Sequence, residues 1–481
     1  MLSVDMKGIP PMDLWLAWYH CVKILRPACR RRRTFLWMVV ALIGLSIRAD
    51  LAGVTSFVRA LELCPGAYLL LLHFFHSSAL DLGALTSLWV RLVPTLFVPC
   101  QVGPYLVCLA DGIKAPKEGR KMPAVKSLHQ ESSSNSKPPF IMGHSLQAIS
   151  FLAAGPTGHV LSVPLAARIH EGVVLSNRDK RTLLDKMVGL FFSVVSVWGR
   201  RVLLVADAYY CSRKIIAPLF AKGHQLVTRA RVNAVAYYPA PKPTHRRRGR
   251  PRLYGDKVRL KDLARDSKAT RHSAPSPVYG EQNVTLRYIV ADLLWRPVGR
   301  IVRFVLVDHP HRGLIFLLST DTSLKPLEII QAYGHRFEIE TGFRQAVQVL
   351  GAYAYHFWMM SMSPIRRRSG NQYLHRKTAS YRQHVHRKIG AYHAYIQLAC
   401  IAQGLLLYLA TSHGALVWDR FRSWLRTMNP NQPPSELVVA YALRSDLPEF
   451  LASSGCHADL KKFLSRYHKD GEDAAGRRHV A

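Results

Sequence analysis

Three acidic residues stand where a fold could bring their carboxylates together. Asp111 follows the apolar segment 105–110, and Asp207 follows the apolar segment 202–206. Each short apolar run predicts a buried strand, and the end of a strand holds a side chain at the edge of a sheet. Glu340 lies in a segment with helical spacing. Carboxylates supplied by two strands and a helix are suited to divalent cations, which prefer oxygen ligands.

The helix predicted over 324–349 places an aromatic hydroxyl and two cations near Glu340. Tyr333 and Arg336 precede Glu340 by seven and four residues, and Arg344 follows it by four, so all four share one helical face. Two metal ions about 3.5–4 Å apart can stabilise the entering and leaving oxygens of a phosphodiester displacement, and arginines bind phosphate. The alternative is that the acids cap turns and that the Glu–Arg pairs are surface salt bridges.

The composition points to a polyanionic partner. The 481 residues contain 66 Lys+Arg and 30 Asp+Glu, a net charge of +36. Nucleic acid is the predicted partner and an anionic membrane the alternative, since so large a charge repels itself. A hydrophobic share of 49% excludes wholesale disorder. The eight cysteines lack zinc-ligand spacing, which predicts free thiols in a reducing cytosol. The apolar run 34–47 is shorter than the roughly 20 residues of a membrane span and predicts a buried helix.

Strand-like and helical segments alternate, which predicts an α/β fold with a mixed sheet and helices on both faces. Residues 1–100 are predicted to be helical and are a candidate DNA-binding domain. Residues 101–229 and 321–363 are the predicted two parts of the sheet domain, and the second carries the Glu340 helix. Residues 230–320 are first basic and then β-rich, and we expect an insertion that does not continue the sheet. Residues 364–481 are a basic linker followed by a helical region.

The short sequence motifs around the three acids resemble those of a known family. Residues 333–340 are Y-GH-R-FEI-E, and DGIK at 111–114 and VADAYY at 205–210 surround the two aspartates. These segments resemble the DDE transposases of bacterial insertion sequences, specifically the insertion-sequence-four family. The signature of that family is Tyr, two residues, Arg, three residues, Glu, six residues, Lys. The last position departs from it, because Val347 stands where the family has Lys.

The resemblance implies an RNase H-like catalytic domain interrupted by a β-rich insertion between Asp207 and Glu340. It implies a transposase that binds terminal inverted repeats, cuts there and joins the ends to target DNA, with a homodimer on the DNA. Asp111, Asp207 and Glu340 would hold two Mg²⁺ ions, for which Mn²⁺ may substitute. The expected location is the bacterial cytoplasm, at the nucleoid and not at a membrane. The alternatives are an inactive or domesticated DNA-binding relative and an RNase H-like metal-dependent nuclease.

Further residues are candidates for DNA contact. Arg248 and Arg250 form an Arg-Gly-Arg-Pro word that could enter a minor groove, and Lys114 follows the first acid. Trp295 in the insertion could stack on an unpaired base, as an aromatic does in some relatives, or could be a core residue of a hairpin. The aromatic stripe that ends the second sheet segment is predicted to be core; it comprises Tyr353, Tyr355, Phe357 and Trp358.

Overall fold

A computed structural model of the protein describes residues 13–130, 138–241, 249, 251–278, 280–453, 455 and 457–469. The described chain is a mixed α/β protein. Its helices are α1 (Leu14–Ile24), α2 (Arg32–Ile47), α3 (Val54–Ala60), α4 (Gly66–Phe75), α5 (Leu82–Leu96), α6 (Leu183–Val195), α7 (Arg213–Ala221), α8 (Leu260–Arg265), α9 (Pro326–Gly334), α10 (Glu338–Gln348), α11 (Ala379–Ser412), α12 (Gly414–Arg420), α13 (Glu436–Ala452) and α14 (Ala458–Ser465). Its strands are β1 (Val98–Pro99), β2 (Gln101–Val102), β3 (Tyr105–Pro116), β4 (Lys126–His129), β5 (Phe140–Ala154), β6 (Val160–Ile169), β7 (Val173–Val174), β8 (Val202–Ala206), β9 (Gln225–Arg229), β10 (Val235–Pro239), β11 (Tyr254–Arg259), β12 (His272–Pro275), β13 (Thr285–Trp295), β14 (Arg300–His309), β15 (Gly313–Ser319) and β16 (Gln372–Tyr373).

One large sheet runs through the molecule, and its central strands carry the two aspartates. The main strand order is β1-β5-β3-β8-β9-β15-β14-β13-β10-β11. Strands β3, β8 and β9 are parallel to one another, whereas β5 is antiparallel to β3. Ala110 pairs with Ala206, so the next residues, Asp111 and Asp207, emerge at the same level of the sheet. The predicted buried strands are confirmed, and β3 continues well past Asp111.

The β-rich segment continues this sheet, so the prediction that it does not continue the sheet is wrong. Strand β15 pairs antiparallel with β9, with Leu317 opposite Arg229 and Ser319 opposite Val227. Strands β14 and β13 then extend the sheet beyond β15. The physical reason is that β9 without this neighbour would be a buried strand with an open edge of unpaired N–H and C=O groups. Strand β15 satisfies that edge.

Helices cover both faces of the central strands, as predicted. Side chains of β3 alternate between the faces. Val107 and Leu109 pack with α9 and α10 through Ile329 and Ile339. On the opposite face Cys108 and Ala110 belong to a core that also includes Phe191 of α6 and Ile215 of α7. This double coverage gives the apolar strands their continuous hydrophobic sequence.

The helix predicted over 324–349 is broken into two. Lys325 caps α9, Pro326 is its first residue, and α9 ends at Gly334. A short 3₁₀ turn over His335–Phe337 precedes α10. A Cβ on Gly334 would lie 3.0 Å from a methyl carbon of Val278, so the close approach of that side chain favours glycine at the break. The consequence is that Arg336 lies in the turn and not in a continuous helix.

Helices from the two ends of the chain pack together. Trp15 Nε1 donates to the carbonyl oxygen of Leu443 at 2.9 Å, and Arg48 Nη1 donates to Tyr395 Oη at 3.1 Å. All residues from Thr34 to Ile47 are buried, which confirms the predicted buried helix. Helix α11 is long and apolar enough to span a membrane, with a mean hydropathy of 1.5, and 94% of that apolar stretch is buried inside the protein. Such burial is typical of a core helix.

Candidate active site

The three acids reach one region of the sheet edge from three different elements. Asp111 is a residue of β3, and Asp207 follows β8 as the cap of a short 3₁₀ turn. Asp207 Oδ1 accepts a hydrogen bond from the N–H of Tyr209 at 2.9 Å, and the Asp207 carbonyl oxygen accepts one from Thr228 Oγ1 at 2.7 Å. Glu340 lies in the first turn of α10. The backbone therefore fixes each carboxylate before any ligand is considered.

Arg336 joins two of the acids. Its Nη1 lies 2.9 Å from Asp111 Oδ2, and its Nη2 lies 2.5 Å from Glu340 Oε1. The guanidinium and Asp111 are both mostly buried, with side-chain exposures of 18% and 19%. Hydrogen bonds between ionised partners are stronger than neutral ones, and burial strengthens them further. A cation thus already lies between carboxylates that come from β3 and α10.

The pKa of Asp111 reports the same grouping. Burial raises it from 3.8 to about 6, against the N–H of Gly112 and the charge of Arg336, which lower it. The carboxylates of Asp207 and Glu340 raise the pKa further through their negative charges. The three predicted acids are therefore close enough to interact electrostatically, with Asp111 as the common member. A cation placed among them would relieve this repulsion.

The donor chemistry of these residues fits a hard divalent cation. Each acid offers carboxylate oxygens, and burial disfavours the ionised form of Asp111, which a nearby positive charge would stabilise. Within the described ranges, no three acidic, histidine or cysteine side chains stand together as a complete set of ligands. The guanidinium of Arg336 takes the place of a shared cation between Asp111 and Glu340.

The predicted phosphate contacts divide into two groups. Burial raises the pKa of the Tyr333 hydroxyl, while the nearby charges of Arg336 and Arg229 lower it. Arg344 is exposed one turn beyond Glu340. Lys114 is three residues from Asp111 on the same strand, so it points to the opposite face, where its Nζ donates to the carbonyl oxygen of His129. Lys114 therefore does not face the acids.

Two other predictions meet different outcomes. Trp295 is only 7% exposed and pairs with Arg300 at the turn between β13 and β14. An unpaired base could not stack on a ring with so little open face, so the structure favours the hairpin-core alternative. Arg248 and Arg250 lie outside the described residues.

Comparison with protein families decides the class. The family model described as DDE superfamily endonuclease matches residues 24–292, more than half of the chain. The chain belongs to the DDE superfamily of endonucleases. The matched segment contains Asp111 and Asp207 and ends before Glu340. No curated protein matches the chain in a sequence comparison.

Membership in this superfamily implies a metal-dependent nuclease or transposase with DNA as its substrate. The large mixed sheet with helices on both faces is consistent with the RNase H-like fold of DDE enzymes. DDE superfamily nucleases generally use divalent metal ions, which agrees with the carboxylate donors described above. Of the described cysteines, seven are free thiols, as expected for a protein without disulfides; Cys456 lies outside the described residues.

Several residues of this DDE endonuclease were not predicted from the sequence. A cavity of about 850 Å³ is lined by Tyr209, two residues after Asp207, and by Glu171, which accepts from Lys126 Nζ at 2.8 Å. Arg229 ends β9 beside β8 and lowers the pKa of Tyr333 by its charge. The sequence position of Arg229 could have identified it as a candidate, because Arg229, like the two aspartates, ends an apolar run. Trp358 was expected in the core and is 54% exposed.

Proposed function

We propose that this DDE endonuclease is the transposase of a bacterial insertion sequence, of the insertion-sequence-four family with its Tyr-Arg-Glu signature. It would bind the terminal inverted repeats of its element, cut there and join the freed ends to target DNA, working as a homodimer at the nucleoid in the cytoplasm. The observation that carries the proposal is the Arg336 guanidinium between Asp111 and Glu340, with the charge of the same arginine acting on the Tyr333 hydroxyl. The arginine and glutamate of the signature thus contact each other, and the tyrosine interacts electrostatically with the same arginine.

The proposed roles follow from the positions of the side chains. Asp111, Asp207 and Glu340 would hold two Mg²⁺ ions, or Mn²⁺ in their place. When bound, such ions activate the attacking oxygen and stabilise the leaving oxygen of a phosphodiester displacement. Arg336 would bind a non-bridging phosphate oxygen, since its planar guanidinium offers two parallel donors. Tyr333 would hold that guanidinium in orientation.

Arg344 is proposed to contact the DNA backbone farther from the cut. It lies one turn after Glu340 on the exposed side of α10. Its exposure and its distance from the acids along the helix suit a phosphate of the bound strand and not the reacting one. A long flexible cation in this position would contribute to affinity without sequence preference.

A second candidate function has one observation in its favour. Val347 occupies the signature position of a lysine, and this apolar side chain is 47% exposed on α10. The loss of a cation there would suit a domesticated relative that binds DNA without cutting, or a nuclease that cuts without joining. The pairing of Arg336 with Asp111 and Glu340 favours the active enzyme, because the arginine and the glutamate of the signature still contact each other.

Cleavage of a plasmid that carries the DNA flanking the gene tests these functions. The wild type and Asp207→Asn are compared with Mg²⁺ and with Mn²⁺, and the cut positions are mapped by sequencing. Metal-dependent cuts at the element boundary, lost in Asp207→Asn, together with joined products, support the transposase. Cuts without joined products favour the nuclease. Binding without cuts by either protein favours the inactive relative, and equal cutting by both proteins places the active site elsewhere.

A further inference from the structure

The end of β3 beyond the acids borders a groove whose wall is cationic. The groove has a volume of about 640 Å³ and lies between the end of β3, part of β5 and the segment that follows α10. Arg120, Arg366 and Arg367 line it and all three are exposed. We call it the arginine groove.

Backbone hydrogen bonds hold the two walls of the arginine groove together. The N–H of Ile365 donates to the carbonyl oxygen of Arg120 at 2.8 Å, and the N–H of Met359 donates to that of Lys121 at 3.0 Å. Arg120 Nε donates back to the Ile365 carbonyl oxygen at 3.3 Å. Below the surface, the Lys117 ammonium donates to the carbonyl oxygens of Tyr353 and Tyr355. The arginines are therefore carried on a fixed frame and do not depend on a free loop.

The positive charges of the arginine groove are not neutralised by the protein. Among the described residues, none of the arginines at 120, 366, 367 and 368 has a carboxylate within ion-pair distance. Glu118 is the one acidic residue that lines the groove. Cations held this close without acidic partners repel one another, and an anionic ligand would remove that repulsion.

An exposed aromatic ring stands at the edge of the same surface. Trp358 is 54% exposed, although residues 355, 357 and 359 around it are buried. Its ring lies against Gly119, where an added Cβ would be 3.1 Å from the ring, and it is nearly parallel to the His356 ring at 6.3 Å. Because Gly119 has no Cβ, one edge of the indole can lie close to this residue, next to Arg120. The open part of the ring offers a stacking surface that the protein itself does not fill.

We propose that the arginine groove binds DNA with an unpaired base, whose phosphates lie on the arginines and whose base stacks on Trp358. Arginines beside an exposed aromatic are the combination that holds single-stranded nucleic acid, because phosphates bind the cations and any base can stack. Lys117 lies six positions after Asp111, just past the end of β3, and the two are about 20 Å apart at roughly 3.3 Å per residue. At about 3.4 Å per nucleotide of stacked strand this places the bound segment about six nucleotides from the cut phosphate.

This inference rests on the proposed function for its DNA substrate, and it adds a second contact surface on the substrate. The groove adjoins the same strand as Asp111, so one DNA molecule could contact both. A duplex that opens near a cleaved end would supply the unpaired base. A blunt duplex would engage the arginines only.

Fluorescence anisotropy with two labelled oligonucleotides tests the proposal. One probe is a blunt duplex, and the other is the same duplex with a six-nucleotide single-stranded extension. All proteins carry Asp207→Asn to prevent cutting, and each dissociation constant is measured over a series of salt concentrations. The variants are Trp358→Ala, Trp358→Phe, the pair Arg366→Gln with Arg367→Gln, and a control pair, Arg422→Gln with Arg426→Gln, which removes two exposed arginines from the segment between α12 and α13. Circular dichroism and the melting temperature check that each variant is folded.

We expect Trp358→Ala to weaken binding of the extended probe by about 5- to 100-fold, the range for loss of one stacked base, with little change for the blunt probe. Trp358→Phe should recover most of that loss. The Arg366 and Arg367 pair should lower the salt slope by about 1.4, because each single-strand phosphate contact contributes about 0.7. The control pair should leave the slope near that of the parent protein.

The proposal would be overturned if the Trp358→Ala protein bound the extended probe as tightly as its parent does. It would also be overturned if the control pair lowered the salt slope as much as the Arg366 and Arg367 pair. Binding of neither probe by the parent protein would overturn both this inference and the proposed function. Normal groove-dependent binding combined with no cleavage in the plasmid assay would overturn the proposed enzyme activity alone.

Discussion

The acidic site at Asp111, in the middle of β3, and the basic region just after β3 solve opposite electrostatic problems. At Asp111 three carboxylates come together, and a guanidinium from the α9–α10 turn lies between two of them. Six positions on, Lys117 is 3% exposed and its ammonium donates to the carbonyl oxygens of Tyr353 and Tyr355. Burial lowers the pKa of Lys117 from 10.5 to about 7. The site at Asp111 thus gathers negative charge for cations to bind. The region after β3 presents positive charge, in Arg120 and its neighbours, for an anion to bind.

The largest expected effect comes from breaking the acidic end. Asp111→Asn removes a proposed metal ligand at a mostly buried position, and we expect cleavage to fall by about 1000-fold or more, since such ions contribute several kcal/mol and each 1.36 kcal/mol is a factor of ten. DNA binding should be unchanged or tighter, because a negative charge is lost. Single-turnover cleavage rates and dissociation constants measure the two effects separately. A loss of binding at an unchanged rate would place Asp111 in a DNA-binding and not a catalytic role.

The second effect concerns the arginine between the acids. Arg336→Gln removes the cation that neutralises Asp111 and Glu340, so we expect Mn²⁺ to bind about tenfold more tightly, in line with the loss of one charge-assisted contact of about 1.5 kcal/mol. Cleavage should fall nonetheless, because the phosphate contact is lost. Electron paramagnetic resonance of free Mn²⁺ measures the affinity.

Arg344→Gln is the matched control for Arg336→Gln. Arg344 lies on α10 one turn after Glu340 but forms no ion pair with either acid in the described structure. We expect its loss to leave Mn²⁺ affinity unchanged. Weaker Mn²⁺ binding by Arg336→Gln would mean that the arginine organises the acids and does not compete for them.

The third effect tests the basic end through its stability. The folded pKa of Lys117 lies below its unfolded value of 10.5, so the folded state disfavours the bound proton. The unfolded state then binds more protons between about pH 7 and 10.5, and stability rises with pH over that window. At pH 7 and below, this gain in stability is absent, because the ammonium is charged and buried and no carboxylate of the described residues pairs with it.

Lys117→Met removes this titration. We expect the free energy of unfolding of the wild type, relative to that of Lys117→Met, to increase by on the order of 2–4 kcal/mol from pH 7 to 9.5. The carbonyl oxygens of Tyr353 and Tyr355 lose their donor in the variant, which costs a constant amount at every pH. Urea unfolding at several pH values measures the difference. Parallel pH curves for the two proteins would contradict the buried, neutral lysine.

The contrast between local and distant information explains what the sequence could predict. Asp111 and Asp207 were found because each ends an apolar run, and the strand that carries an acid is defined by its own residues. Glu340 and Arg336 were found from the helical spacing of residues 333–344, and the family resemblance placed them in the Tyr-Arg-Glu signature. The pairing of β15 with β9 could not be found in this way, because it joins segments separated by the whole length of β10 to β14.

Two smaller outcomes, the full break at Gly334 and the exposure of Trp358, have the same origin. The break at Gly334 depends on Val278, which is distant in sequence and approaches the helix only in the folded chain. The exposure of Trp358 depends on Gly119 and Lys121, which hold the segment after α10 at the surface. Periodicity describes one element at a time, whereas both outcomes are decided by contacts between elements.

The smallest expected effect comes from adding a positive charge to α10, beyond the arginine that lies beside the acids. Val347→Lys restores the cation of the family signature at an exposed position seven residues after Glu340 and three after Arg344. Residues three apart in a helix are neighbours, so the new ammonium would lie near Arg344 and could contact the same DNA strand. We expect cleavage to increase by about two- to tenfold and the salt slope of binding to rise by about 0.9, the contribution of one duplex phosphate. Gln348→Lys adds the same charge about 100° around the helix and is the control. An equal gain in both variants would mean that any added charge on α10 strengthens binding, and the signature position would then have no special place beside the acids.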